Sequence, residues 1–240
     1  MRLTDFEVLS FGCYGTLIDR DSGLYAALRP LLANGQVKLS REDVLAAFAR
    51  QEAAQQAATP RMPYSDLLSK VHCRLAKEWG IPASDDEHAL FGKSVAQWPV
   101  FVDTPAGLQY LQRYFKLVVL SNVDRVSFAS SVRRLGVRFD DVVTAEEVGS
   151  YKPDPGNFEA LVQRVAQLGC ERSRILHTAQ SPARDLLPAA RCGLATAWID
   201  RQPVRPGAEA AAQAGSSVPR EFRFASLVDM VRAHQEELRS

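Results

Sequence analysis

Hydrophobic and polar positions along the chain change their period twice. Residues 6–11 (FEVLSF) form a short β-prone run that stops abruptly in GCYGTLID. Two glycines within four residues there predict a tight turn at the carboxyl end of a strand. From that turn to Trp98, apolar residues recur at spacings of three and four over 24–32, 41–57, 64–79 and 86–98. That is the period of amphipathic helices. Breaks fall at Pro60, Pro63, Gly80 and Pro82. Four successive helices with no strand between them predict a bundle-like module.

Past Pro99 the pattern alternates. Helices are expected over 105–115, 126–135, 157–168 and 182–192, and strands over 116–121, 141–144, 174–178 and 195–199. Apolar strands alternating with helices predict a parallel, doubly wound sheet covered on both faces. Residues 201–218, rich in Pro, Gly, Ala and Ser, read as a surface loop, followed by a strand at 222–224 and a helix at 227–238. The fold class is therefore α/β: a Rossmann-like core with a helical cap inserted after its first strand. The expected division is a core of residues 1–19 and 99–240 and a cap of residues 20–98. Ligands of such sheets sit beyond the carboxyl ends of the strands, which directs attention to 12–19, 121–122, the loop through Lys152, and 177–185.

Composition narrows the function. With 29 basic against 28 acidic residues, the net charge is +1, so nothing favours a polyanion, and nucleic acid is not expected as a partner. No apolar run approaches a membrane span, and residues 1–7 lack the basic-then-apolar pattern of a secretory signal. Cys13, Cys73, Cys170 and Cys192 are scattered, without metal-knuckle or CxxC spacing. A cytoplasmic protein with reduced thiols is expected.

The four strand-end segments carry the candidate chemistry. They are Gly12-Cys13-Tyr14-Gly15-Thr16-Leu17-Ile18-Asp19, then Leu120-Ser121-Asn122, then Tyr151-Lys152-Pro153-Asp154-Pro155, and a weaker fourth, His177 to Ser181 with Asp185. In this order the segments resemble the haloacid dehalogenase superfamily, in particular its 2-haloacid dehalogenases, whose first motif reads Asp-x-Tyr-Gly-Thr-Leu-x-Asp. The resemblance covers nearly the whole chain, cap insertion included.

It implies a hydrolase that displaces a leaving group from C2 of a small 2-substituted carboxylic acid. The leaving group would be a halide or a strained-ring amine, as in azetidine-2-carboxylate. A carboxylate at position 12 would attack and form an ester that water then cleaves. Thr16 and Ser121 would hydrogen-bond that carboxylate, and Lys152 would keep it ionised. Asp185 would orient or deprotonate the water. The backbone at Cys13 and Tyr14 would face the substrate's carboxylate, with Asn122 and the cap residue Arg50 at the leaving group. Homodimerisation through the cap is compatible with the resemblance.

Several positions depart from the pattern. Gly12 stands where the nucleophilic aspartate is expected, and glycine has no side chain to attack with. Tyr14 occupies the place of the second aspartate of phosphatases, and Gln180 that of a metal-binding carboxylate, so no metal or other cofactor is expected. Gly12 is either an introduced change that disables the enzyme or a natural loss of catalysis. The retention of Thr16, Ser121, Lys152 and Asp185 favours the first. The chain as it stands is expected to be inactive. The alternatives are a magnesium-dependent phosphatase and a non-catalytic binding protein. Each residue also has a plainer account: Lys152 as a solvated loop residue, Asp185 as a first-turn helix carboxylate, Ser121 and Asn122 as turn formers, and Arg50 as one charge on a helix face.

Overall fold

A computed structural model describes residues 1–201 and 220–240. The first strand, β1 (Val8–Phe11), is buried at every position, as expected for a strand covered on both faces. It leads into helices α1 (Arg20–Gly35), α2 (Arg41–Ala58), α3 (Tyr64–Glu78) and α4 (Asp85–Gly92). The alternating half follows: α5 (Thr104–Leu111), β2 (Lys116–Ser121), α6 (Arg125–Leu135), β3 (Asp141–Thr144), α7 (Ala145–Val148), α8 (Pro155–Gln167), β4 (Ile175–Ala179), α9 (Leu187–Arg191), β5 (Ala195–Ile199), β6 (Phe222–Phe224) and α10 (Leu227–Glu237).

The six strands form one sheet in the order β3-β2-β1-β4-β5-β6, and every pair is parallel. β1 lies between β2 and β4, where Phe11 is level with Val119 and with Thr178. The residue after Phe11 is therefore flanked by the carboxyl ends of both neighbouring strands. Its amide donates to the Thr178 carbonyl at 3.1 Å. Sheet topology alone thus places position 12 at the centre of the ligand edge.

The insert folds as its periodicity predicts. In α3, Tyr64, Leu67, Leu68, Val71 and Leu75 are buried at three- and four-residue spacings. Capping fixes two of the entries: the Asp19 carboxylate accepts from the Ser22 amide at 3.0 Å, and Ser40 accepts from Asp43. The first helix consequently begins at Arg20, four residues ahead of its periodic apolar stretch. Gly23 lies against Trp98; a β-carbon there would fall 2.4 Å from the indole, so the crossing requires glycine.

Two expected helices are divided. The one over 86–98 ends at Gly92 and resumes as a 3-10 turn, Ser94–Gln97. Gly92 sits so close to α3 that a β-carbon would meet the Ser65 carbonyl at 2.5 Å. The one over 182–192 begins as a π turn, Pro182–Leu186, and becomes α-helical at Leu187. Pro188 has no N–H to donate back to residue 184, so the regular ladder is cut there. Helix α7 has only four residues and was not anticipated. Of the surface loop expected over 201–218, only Arg201 falls among the described residues.

Candidate active site

The carboxyl ends of β1, β2 and β4 meet the cap helices around a cavity of about 40 Å³. Since one water needs roughly 10–15 Å³ measured this way, the space suits a ligand of a few heavy atoms. Gly12, Cys13, Tyr14, Ser121, Asn122, Lys152 and Asp185 all line it. Seven of the nine residues nominated from sequence are therefore brought together.

Lys152 is its centre. The side chain is buried; its ammonium donates to the Leu120 carbonyl at 2.8 Å and forms an ion pair with the Asp185 carboxylate. The solvated-loop account of Lys152 is thereby excluded. Asn122 fixes the lysine's main chain, accepting from its N–H at 2.7 Å and donating to its C=O at 3.2 Å. Both ends of the Asn122 side-chain amide are thus engaged with the Lys152 main chain.

Asp185 also meets the buried imidazole of His177 at 3.3 Å, and the other ring nitrogen of His177 is 2.9 Å from Ser10 Oγ. Burial by itself would raise the Asp185 carboxyl, but Lys152 and His177 hold it far below the usual range. Burial lowers His177 and keeps its ring neutral. Asp185 is consequently a fixed anion between a cation and a hydrogen-bond donor. The Cys13 thiol is pushed far up by burial, against the lowering effect of Lys152, so it stays protonated and is a poor nucleophile.

Other nominated residues are placed differently. Thr16 is buried, but its hydroxyl accepts from the Gln180 amide at 2.9 Å, tying the loop after β1 to the loop after β4; it does not line the cavity. Ser121 does line the cavity, and its Oγ accepts from the Val123 amide at 3.3 Å. The Tyr14 ring borders the cavity edge-on to Trp98, and its hydroxyl is engaged with Ser131 Oγ at 2.9 Å. Arg50 is a correction. Its side chain is 61 % exposed, paired with Glu78 at 2.5 Å on the outer side of the cap, and absent from the cavity wall. The resemblance implied a cap arginine at the leaving group, but α2 turns Glu52 inward instead.

The cap residues that do reach the cavity are Arg20, Glu52, Gln56 and Tyr64, joined from the core by Arg184. Glu52 is buried; it accepts from Arg20 at 2.7 Å and from Tyr64 at 2.7 Å, with Arg184 3.4 Å away. Burial would raise its carboxyl, yet the two guanidinium groups and the tyrosine hydroxyl lower it. Sequence reasoning missed all five. Arg20 and Arg184 could have been found, since each is adjacent to a motif residue, Asp19 and Asp185. Nothing in the sequence distinguishes Glu52 or Gln56 from the other polar residues of α2.

The donor set does not fit a hard divalent cation. Of the carboxylates at the cavity, Asp185 is committed to Lys152 and Glu52 to Arg20. Among the described residues no group of three or more His, Cys, Asp or Glu side chains could hold a metal ion.

Known proteins place this arrangement in a family. A search of curated proteins gave no match. Solved structures matched over nearly their whole length. An L-2-haloacid dehalogenase from Xanthobacter autotrophicus, with chloropropionic acid covalently bound, is 17% identical with a TM-score of 0.78, covering 96% of this chain and 98% of its own. A defluorinating L-2-haloacid dehalogenase is 17% identical with a TM-score of 0.79, covering 98% and 96%. The Bacillus subtilis protein YfnB, bound to magnesium, is 18% identical with a TM-score of 0.76, covering 98% and 100%. At such identities these likenesses establish the fold. The family model for haloacid dehalogenase-like hydrolases matches residues 6–193, which span the cap insertion and every strand-end motif. The chain belongs to the haloacid dehalogenase-like hydrolases.

Proposed function

We propose that this scaffold hydrolyses the C2 substituent of a small 2-substituted carboxylic acid, and that the chain bearing Gly12 is its inactive form. One observation carries the reading: the buried Lys152–Asp185 ion pair stands beside position 12, at the end of the central strand, in a cavity sized for a few heavy atoms. An aspartate at 12 would attack C2 and expel the halide or ring nitrogen. Water would then cleave the resulting ester, with Asp185 orienting it. Lys152 would hold the attacking carboxylate ionised. Residues 20–98 would act as the cap and the remainder as the core, with Tyr14, Ser121 and Asn122 bordering the substrate.

The experiment compares the Gly12→Asp protein with the chain as it stands. Both are incubated, with and without Mg²⁺, with L- and D-2-chloropropionate, L-azetidine-2-carboxylate and an aryl phosphate. Metal-independent halide release or ring opening by Gly12→Asp alone is the expected result. Phosphate release that requires Mg²⁺ would overturn the reading in favour of a phosphatase. No turnover by either folded protein would favour a binding role.

A further inference from the structure

Helix α2 presents two polar residues to the cavity one turn apart, Glu52 and Gln56. Glu52 is well supplied with donors, by Arg20, Tyr64 and the more distant Arg184. Gln56 is not supplied. Its side-chain nitrogen Nε2 is buried and has no hydrogen-bond partner among the described residues. Folded proteins leave very few buried donors in that condition, because each forfeits the hydrogen bonds it made to water. An unsatisfied donor on a cavity wall is accounted for when the bound molecule brings the acceptor.

The charge around it indicates which acceptor. Lys152, Arg20 and Arg184 face the cavity against two carboxylates, Glu52 and Asp185, which leaves one positive charge. In the chain with Gly12, which is the one tested below, a singly charged acid balances it. Gln56 also lines the adjoining cleft together with Lys152 and Arg184, so it stands at the cavity's edge rather than beside position 12. A carboxylate on C2 would extend from position 12 towards that edge, where Gln56 takes the part that the resemblance gave to the Cys13 and Tyr14 backbone.

We infer that Gln56 is a substrate ligand, donating from Nε2 to the carboxylate of the bound acid. The assignment rests on the functional reading above.

The test uses the Gly12 chain itself, which would hold an acid without converting it. Calorimetric titration with L-2-chloropropionate and with propionate, which lacks a leaving group, is repeated for Gln56→Met and Gln56→Glu. Gln56→Met keeps the side chain's length and removes its donors. It is expected to weaken both acids about 10-fold, which is about 1.4 kcal/mol, with a thermal midpoint unchanged or raised. Gln56→Glu adds a like charge and is expected to weaken them further.

Equal affinity of the Gln56→Met and unsubstituted chains would overturn the inference. So would a loss confined to chloropropionate, which would make Gln56 a leaving-group contact, or a fall of several degrees in the midpoint, which would make it structural. If neither acid binds the unsubstituted chain, the functional reading fails and this inference with it. Binding to the unsubstituted chain that Gln56→Met leaves intact removes this inference alone.

Discussion

A β-carbon built on Gly12 would lie 2.8 Å from Oδ1 of Asp185 and 3.1 Å from Cβ of Ala179, so any side chain at position 12 competes with the Asp185 carboxylate for one volume. With glycine at 12, Asp185 occupies that volume and takes Lys152 as its partner. An aspartate at 12 must push the Asp185 carboxylate back and share the lysine.

Gly12→Ala therefore tests the space without the chemistry. Overpacking a filled site costs about 1–3 kcal/mol, and urea denaturation should place Gly12→Ala in that range, with no activity. Gly12→Asp should lose less, because its carboxylate regains part of the cost from Lys152. Equal stability of Gly12→Ala and the parent chain would mean that Asp185 moves freely.

Lys152→Met removes the counter-ion of a buried carboxylate, which costs on the order of 3–5 kcal/mol at neutral pH. The pH profile should also invert. In the parent, Asp185 is held low, so the unfolded chain binds the extra proton and stability falls as pH drops below about 4. In Lys152→Met, burial raises the carboxyl, the folded chain binds the proton, and stability falls as pH rises above about 4. Denaturation midpoints between pH 3 and 8 distinguish the two slopes.

The cap carries a second pH-sensitive group. His72 is buried against Phe91, its Nδ1 is 2.7 Å from Nδ1 of His88, and burial together with His88 lowers it to about 4. A histidine held below its ordinary 6.5 takes its proton first in the unfolded chain, so stability is lost as pH falls from about 6.5 towards 4. The loss at pH 5.5 should be on the order of 1 kcal/mol. It should be absent from His72→Phe when thermal midpoints at pH 7.5 and 5.5 are compared.

Arg50 and Glu52 lie two residues apart and should behave oppositely. Arg50→Ala breaks an exposed pair with Glu78 and should change stability by less than about 1 kcal/mol, leaving the activity of Gly12→Asp intact. Glu52→Gln strands Arg20 in a buried site and should cost on the order of 3 kcal/mol. Comparable effects would mean that α2 faces the cavity differently.

Hydrophobic periodicity and turn chemistry determined the elements, apart from α7 and the breaks in two helices, together with their order, the parallel sheet and the insertion of helices after the first strand. Those signals are local, because side chains repeat every two or 3.6 residues whatever lies beyond them. The resemblance of the strand-end segments to a known family pointed to Lys152 and Asp185, whose motifs follow the ends of β3 and β4 in the sequence. The tertiary structure alone decided which face of α2 looks inward, replacing Arg50 with Glu52 and Gln56, and gave Thr16 to Gln180 and Tyr14 to Ser131. It also decided that Asp185 fills the place beside Gly12. A helix's rotation and a side chain's choice of partner depend on what packs against them, and that partner is distant in the sequence.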